Sequence, residues 1–343
     1  VFILSLPVLN AGDVHWHNQL GFYGDDTEFG GPYRDGETLL GGQIKSFLEV
    51  ALSDHVSIQA GVYADKRSGG GKFVDPIEPI LSFRYRTPHS RFILGALETR
   101  RRHGLIDPLE VSTLELTRPL ETGIEFTTER PRFQSDFFLN WQKLNTPDHR
   151  EVFDVGLVMH APVGRGVSIE GQLHALHHGG QLYDVGPVYN NLALGPGVRW
   201  EHRWRDRVSS DIRLFELVSE TTKLPEYHGR PSRGQGTFLR AAISPRPSWE
   251  VFTVLWRGKD YYTDEGDHNY GSAGTDPSFY RSARQYKELG FSKIIVSETG
   301  IDFSGEMRFH KIDDRLIEYS LRLLARVSLD QVIGKIMPAR GNS

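Results

Sequence analysis

LLGGQIKSFLEVALSDHVSIQAGVYAD, residues Leu39–Asp65, is the stretch that decides the fold. Successive side chains of a strand point to opposite sides, so an extended chain puts Ile44, Leu48 and Val50 on one face. Gln43, Lys45 and Glu49 then fall on the other. Ser53-Asp54-His55 reads as a tight turn. After it, Val56, Ile58, Ala60 and Val62 oppose Ser57, Gln59 and Asp65. Two long alternating strands joined this closely predict an antiparallel hairpin. The next connection, Lys66–Phe73, is of another kind: it is longer and carries Gly69-Gly70-Gly71.

Working outward, the same unit recurs along the chain. Asp13–Tyr23 precedes it, with a loop through Gly30, Gly31 and Gly36. Leu81, Phe83 and Tyr85 oppose Ser82, Arg84 and Arg86; Phe137, Leu139 and Trp141 oppose Asp136, Asn140 and Gln142. Val167, Ile169, Leu173 and Ala175 oppose Ser168, Glu170, Gln172 and His174. Phe252, Val254 and Trp256 oppose Thr253 and Arg257; Ile317, Tyr319, Leu321 and Leu323 oppose Glu318, Ser320 and Arg322. Short turns at Asp54, Pro88, Pro131, Gly164, Arg207, Pro247 and Glu298 alternate with long loops rich in Gly, Asp, Tyr and Arg. Strands of about ten residues or more exceed the five or six usual in a soluble sandwich and match what a tilted strand needs to cross a bilayer. Trp141, Trp200, Trp204, Trp249, Trp256 and Tyr319 stand near strand ends, where interfacial aromatic girdles lie. The expected fold is all-β: one closed antiparallel transmembrane β-barrel of about sixteen strands, with short periplasmic turns and long extracellular loops. No fixed-period repeat or linker divides it.

Composition sets the outer bounds. A mean hydropathy of −0.40 and 38% hydrophobic residues would suit a water-soluble chain, but the polar lumen of a barrel dilutes its apolar face in the same way. No apolar run approaches the ~18 residues of a membrane helix. With 40 basic and 44 acidic side chains the balance gives no nucleic-acid signature, and no nucleic-acid partner is expected. The absence of Cys excludes disulfides and thiolate metal sites. Residues 1–12 (VFILSLPVLNAG) read as the end of a signal-peptide apolar core, residues 13–330 as the barrel, and residues 331–343 as a C-terminal tail.

This organisation resembles the sixteen-stranded porins of bacterial outer membranes, by architecture over almost the whole chain. The resemblance implies the outer membrane of a Gram-negative bacterium, contact with outer-membrane lipid and a homotrimer. It also implies that the third long loop folds inward as a constriction. That loop is Arg101–Pro119, with Arg101, Arg102 and His103 at its start, Asp107, Glu110 and Glu115 further on, and Leu105, Ile106, Leu109, Leu114 and Leu116 between them. Two departures stand out. The Gly-rich signature of enteric porin loops is absent, and the chain ends Met337-Pro338-Ala339-Arg340-Gly341-Asn342-Ser343 rather than on an aromatic.

If the polar faces line the bore, its charge is uneven. Acids dominate the first half: Glu49, Asp65, Glu125, Glu129, Asp136, Asp154 and Glu170. Bases dominate the second: Arg199, Arg203, Arg240, Arg257, Arg308, Arg322 and Arg326. Opposed walls of opposite sign set up a transverse field that favours dipolar solutes; alternatively, such charges pair and hold the lumen shut. The leading expectation is a porin-like channel for small hydrophilic solutes, with no catalytic residues, no cofactor and no metal. One alternative is a channel specific for an anionic sugar or exopolysaccharide, since arginines bind carboxylates bidentately. The other is an outer-membrane hydrolase. His174 and His178, four residues apart on one strand face, are the nearest approach to a metal pair and lack a third ligand in the sequence. G-x-S-x-G, P-loop and H-E-x-x-H motifs are absent. An open, arginine-lined lumen would favour the specific channel; a plugged one with a rim His–Asp pair would favour the hydrolase.

Overall fold

A computed structural model describes residues 10–336 apart from 73, 206–207, 223–231, 277 and 314–316. The expected signal remnant (residues 1–9 of it) and the end of the tail lie outside the described residues. Sixteen strands form one closed antiparallel barrel. They are β1 (Asp13–Gly31), β2 (Arg34–Ala51), β3 (Val56–Arg67), β4 (Ile77–Arg86), β5 (Ser90–Ala96), β6 (Thr122–Arg130), β7 (Phe133–Lys143) and β8 (Glu151–Gly164). Next come β9 (Val167–Gly179), β10 (Tyr189–Arg205), β11 (Val208–Thr222), β12 (Arg233–Arg246), β13 (Trp249–Lys259), β14 (Ala283–Glu298), β15 (Ile301–Ile312) and β16 (Glu318–Lys335). Each strand pairs with its neighbours in sequence, and β1 pairs with β16 to close the ring, from Asp13 opposite Lys335 to Glu28 opposite Tyr319. β16 thus runs past Asp330, the expected strand end.

The register follows the period-two pattern. On β3, Ser57, Gln59, Tyr63 and Asp65 are buried toward the lumen, whereas Ile58 and Val62 are exposed toward lipid. Leu81, Phe83 and Tyr85 continue the lipid face on β4, and Leu321 and Leu323 on β16. Pairing every backbone N–H and C=O within the ring is what a sheet in hydrocarbon demands, and only closure achieves it.

One strand reverses the sequence expectation. On β13, Phe252, Val254 and Trp256 are buried in the lumen, and Arg257 stands outside with Leu255 and Lys259. The alternation was legible there, but not which face was wet. Tyr261 and Tyr270, from a loop inside the bore, pack edge-on against Trp256, and this covers an apolar face that a water-filled lumen would have exposed. Trp256 accordingly leaves the expected girdle, while Trp141, Trp204, Trp249 and Tyr319 remain exposed on the outer wall.

The β1–β2 connection is also shorter than expected: the strands run together to a tight turn at Pro32-Tyr33. The two long connections that matter are the β5–β6 loop (97–121), with a 3-10 turn at Arg100–Gly104 and a one-turn helix α1 (Leu114–Thr117), and the β13–β14 loop (260–282).

The lipid face gives a direct test. Leu81 is exposed at the middle of β4. Leu81→Arg puts a guanidinium into hydrocarbon and is expected to cost about 2–4 kcal/mol, as outward charges do near the midplane of such barrels. The loss reads out as a lower midpoint for folding into lipid vesicles under denaturant.

Candidate functional site

Both long loops fold into the barrel. The β5–β6 loop reaches the wall all round. His103 lies between Asp136 of β7 and Glu121, with Nδ1 and Nε2 each 3.0 Å from a carboxylate oxygen. The Ile106 amide donates to Gln172 of β9 at 3.0 Å. Asp107 takes Arg102 at 3.0 Å and Arg308 of β15 at 3.5 Å. Ser112 accepts from Arg322 of β16 at 3.2 Å, and Lys45 of β2 donates to the Pro119 carbonyl at 2.7 Å. Leu105, Ile106 and Leu109 bury in the same cluster as Phe138, Phe238 and Phe252 from the wall. A buried residue seldom takes positive φ unless its surroundings fix it. His103 does so, at φ 54°, and its imidazole stacks on Phe138 with ring centroids 3.9 Å apart. Gly156 makes room for that stack: a Cβ there would stand 2.0 Å from the Phe138 ring.

The β13–β14 loop meets the first across the bore. Tyr261 and Thr263 donate to the Pro108 carbonyl at 3.1 and 2.8 Å. Val111 N–H donates to the Glu265 carbonyl, and Asp267 N–H to the Asp107 carbonyl. At Gly266 the backbones approach so closely that a Cβ would lie 2.3 Å from the Pro108 oxygen. Glu265 then joins a wall cluster. Its carboxylate takes Arg118 at 2.6 Å, Gln142 at 2.8 Å and His174 at 3.3 Å, and His174 also faces Asp154 at 3.4 Å. Asp154 is fully buried under Asn140 and Gln142. Above this cluster, a cavity of about 450 Å³ is lined by Gln142, His178, Tyr189, Tyr262, Glu265 and His268.

The loop charges are strongly perturbed. Burial alone would lower the His103 imidazole, but hydrogen bonds to Asp136 and Glu121 raise it well above the usual histidine range. Burial raises Asp107, and the surrounding Arg102, Arg308 and Arg322 more than reverse this, holding it below the carboxylate range. Glu265 is likewise held low: His174 and Arg118 outweigh its burial. Glu110 is the opposite case. Its Oε2 has no hydrogen-bond partner among the described residues, and burial pushes it up to about 8.

The predicted site residues divide as follows. Glu49, Asp65, Glu125, Asp136, Asp154 and Glu170 all face the lumen; Glu129 is on the same side of its strand at the periplasmic end. Arg199, Arg240, Arg308, Arg322 and Arg326 face inward, and Arg203 shares their side near the periplasmic end. Arg257 does not: it belongs to the outer wall. In the loop, Arg102, His103 and Asp107 make the contacts above, Glu110 is buried with Oε2 unpartnered among the described residues, Arg101 lies in the 3-10 turn, and Glu115 stands 4.0 Å from Arg326. Glu265, Arg118 and Glu121 were missed. The one signal for them was the long-loop pattern itself, since nothing local says which loop residue meets which strand.

Among the described residues, two groups have the donors for a divalent cation: His103, Glu125 and Asp136, and Asp154, His174 and Glu265. In each the histidine sits between carboxylates, so the charges already satisfy one another. His174 and His178 do point to the same side, but the partners His174 finds are Asp154 and Glu265.

The closed ring, the lipid-facing apolar wall and the inward loop after β5 define an outer-membrane β-barrel of porin-like fold. Residues 10–336 match the model of the lipid A 3'-O-deacylase-type family, and the chain belongs to that family. No curated protein sequence matches it. Similar solved structures include a loop-deletion form of OmpT from Vibrio cholerae, at TM-score 0.57 and 10% identity over 93% of this chain and 100% of that one. A trimer form of the same protein aligns at TM-score 0.56, 10% identity and the same coverage. OprD from Pseudomonas aeruginosa aligns at 0.53 and 10%, over 94% of this chain and 95% of its own.

Glu110 supplies a pH test. It binds its proton more tightly in the folded protein than at its ordinary value of 4.5, so its contribution favours the fold at low pH. That contribution is lost as pH rises through about 8. Glu110→Gln removes this titration. Relative to the unmodified chain, the variant should gain stability across that window, on the order of a few degrees in the temperature at which the heat-modifiable gel band shifts.

Proposed function

We propose that this barrel is a constricted, charge-selective channel for small hydrophilic solutes, with acidic solutes preferred. The observation that carries this is a row of arginines. Arg199, Arg213 and Arg240 lie directly opposite one another on β10, β11 and β12, facing the lumen on the periplasmic side of the inward loop. Like charges in directly opposed positions repel. Asp211 pairs with Arg199 at 2.6 Å and Glu250 with Arg240 at 2.5 Å, whereas Arg213 reaches Asp211 only at 3.7 Å. A carboxylate or phosphate passing this row gains bidentate contacts that a neutral solute does not. The extracellular cavity above Glu265 is the entrance, and the two interlocked loops form the selective step. A homotrimer and a preference for sugar acids are the finer parts of this reading.

Family membership supports a second reading, and a specific feature favours it. A groove of about 790 Å³ runs along the lipid-facing wall, lined by Leu20, Phe22, Leu40, Ile44, Phe303 and Leu323. Just above it toward the extracellular end, Thr38 donates to Asp26 at 2.6 Å. An apolar groove capped by a polar pair suits an acyl chain of an outer-leaflet glycolipid, held for hydrolysis or simply bound.

Planar-bilayer recording separates these. The channel reading expects discrete steps with an anion-selective reversal potential in a salt gradient, and a shift toward cations in the Arg213→Gln/Arg240→Gln double variant. Folded, heat-modifiable protein that stays silent would overturn it. For the second reading, lipid A incubated with the protein should lose an acyl chain by mass spectrometry, and Phe22→Asp should abolish that loss.

A further inference from the structure

On β14, β15 and β16, on the lumen side of the wall, three side chains fall in line that neither reading above uses. Glu288 lies directly opposite His310 in the register, and Ser320 lies on the next strand, two positions from the residue that His310 faces. Ser320 Oγ is 2.8 Å from His310 Nε2. On the other side of the ring, the Tyr286 hydroxyl is 2.6 Å from His310 Nδ1 and makes a short hydrogen bond to Glu288. Glu288 Oε2 itself is 3.6 Å from Nδ1. His310, Tyr286 and Glu288 are buried, while Ser320 is only partly so and remains accessible from the lumen.

The donors and acceptors admit one consistent ordering with Glu288 ionised. A carboxylate only accepts, so Tyr286 O–H donates to it. The phenol oxygen then accepts from His310 Nδ1–H. That tautomer leaves Nε2 with a bare lone pair, to which Ser320 O–H donates. Each bond thus points the serine proton toward the imidazole, the arrangement that activates a hydroxyl as a nucleophile. Arg308 lies directly opposite Ser320 in the register, and Arg322 two positions along, so guanidinium groups, each also ion-paired (Arg308 to Glu306 at 2.6 Å and Arg322 to Asp25), flank the place where an oxyanion would form.

We infer that Ser320, His310, Tyr286 and Glu288 form a hydrolytic relay inside the lumen, acting on small carboxylic esters that carry negative charge. Ser320 Oγ attacks the ester carbonyl carbon as its proton passes to His310 Nε2. The tetrahedral intermediate collapses with cleavage of the ester C–O bond, and the leaving alcohol takes the proton from His310. Water then attacks the acyl-serine, again losing a proton to His310; the acid leaves and Ser320 recovers its proton. Ser320 and His310 are the catalytic residues, and Tyr286 and Glu288 position the imidazole. The relay goes beyond the channel reading and is separate from the acyl groove. Ser320 faces the lumen, while its neighbours Leu321 and Leu323 face lipid.

The test uses the folded full-length protein in detergent with diisopropyl fluorophosphate, read by intact mass and peptide mapping, and with p-nitrophenyl acetate turnover. The expected result is one phosphoryl adduct on the peptide bearing Ser320, absent in Ser320→Ala and formed roughly 100-fold more slowly in His310→Asn. Tyr286→Phe should displace the pH midpoint of labelling while leaving the heat-modifiable band unchanged, which a merely structural tyrosine would not do. Unlabelled folded protein, an adduct elsewhere, or equal labelling of Ser320→Ala would each overturn the inference. Channel conductance in Ser320→Ala should stay as in the unmodified chain, so failure here is distinct from failure of the channel reading.

Discussion

The pairing of β1 with β16 is the constraint on which everything else in this protein depends. In hydrocarbon an unpaired backbone N–H or C=O costs several kcal/mol, so a sheet survives there only when its first and last strands meet. The ladder from Asp13–Lys335 to Glu28–Tyr319 supplies that meeting. Closure fixes sixteen strands around a bore wider than side chains alone can fill. Lumen side chains must then be hydrated, paired or covered, and here two loops from opposite parts of the ring do the covering.

The covering is polar and apolar at once. Leu105, Ile106 and Leu109 bury among wall aromatics, while His103, Asp107 and Glu265 each find partners of opposite charge on the strands. Removing one member of such a buried set strands the other, at a typical cost of 3–5 kcal/mol. The loops are therefore held by specific chemistry and not by apolar contact alone. The close backbone crossing at Gly266 and Pro108 adds a steric condition that few residue types meet.

The strands were legible because period two is a local property of about ten residues. The alternation of Leu39–Asp65 survives intact in β2 and β3, as does the inward placement of six of the seven acids along the strands and of Glu129 at its end. What could not be read was which face of an ambiguous strand is wet. On β13 both faces carry apolar side chains, and Tyr261 and Tyr270 decide the matter by folding back from the following loop onto Trp256. The same limit hid Glu265 and Arg118. Their roles come from loop crossing, which is set by tertiary packing and leaves no periodic trace. Ser320 is intermediate: it shows as polar on an alternating strand, but its alignment with His310 needs the register.

The channel and acyl-lipid readings proposed above draw on different side chains, and the geometry of a strand lets one wall carry both sets. Side chains of β16 alternate between two surfaces that never meet. Leu323 lines the lipid-facing groove and Leu321 the exposed outer wall, while Ser320 and Arg322 belong to the lumen beside Arg308 and the inward loop. A substitution on one face leaves the other's chemistry in place as long as the backbone ladder holds. Sequence on the outer face can therefore change without altering the charges of the inner face. A porin-like fold within a deacylase-type family fits that independence: the closed ring is common, and the two readings proposed above draw on alternate residues of the same strands.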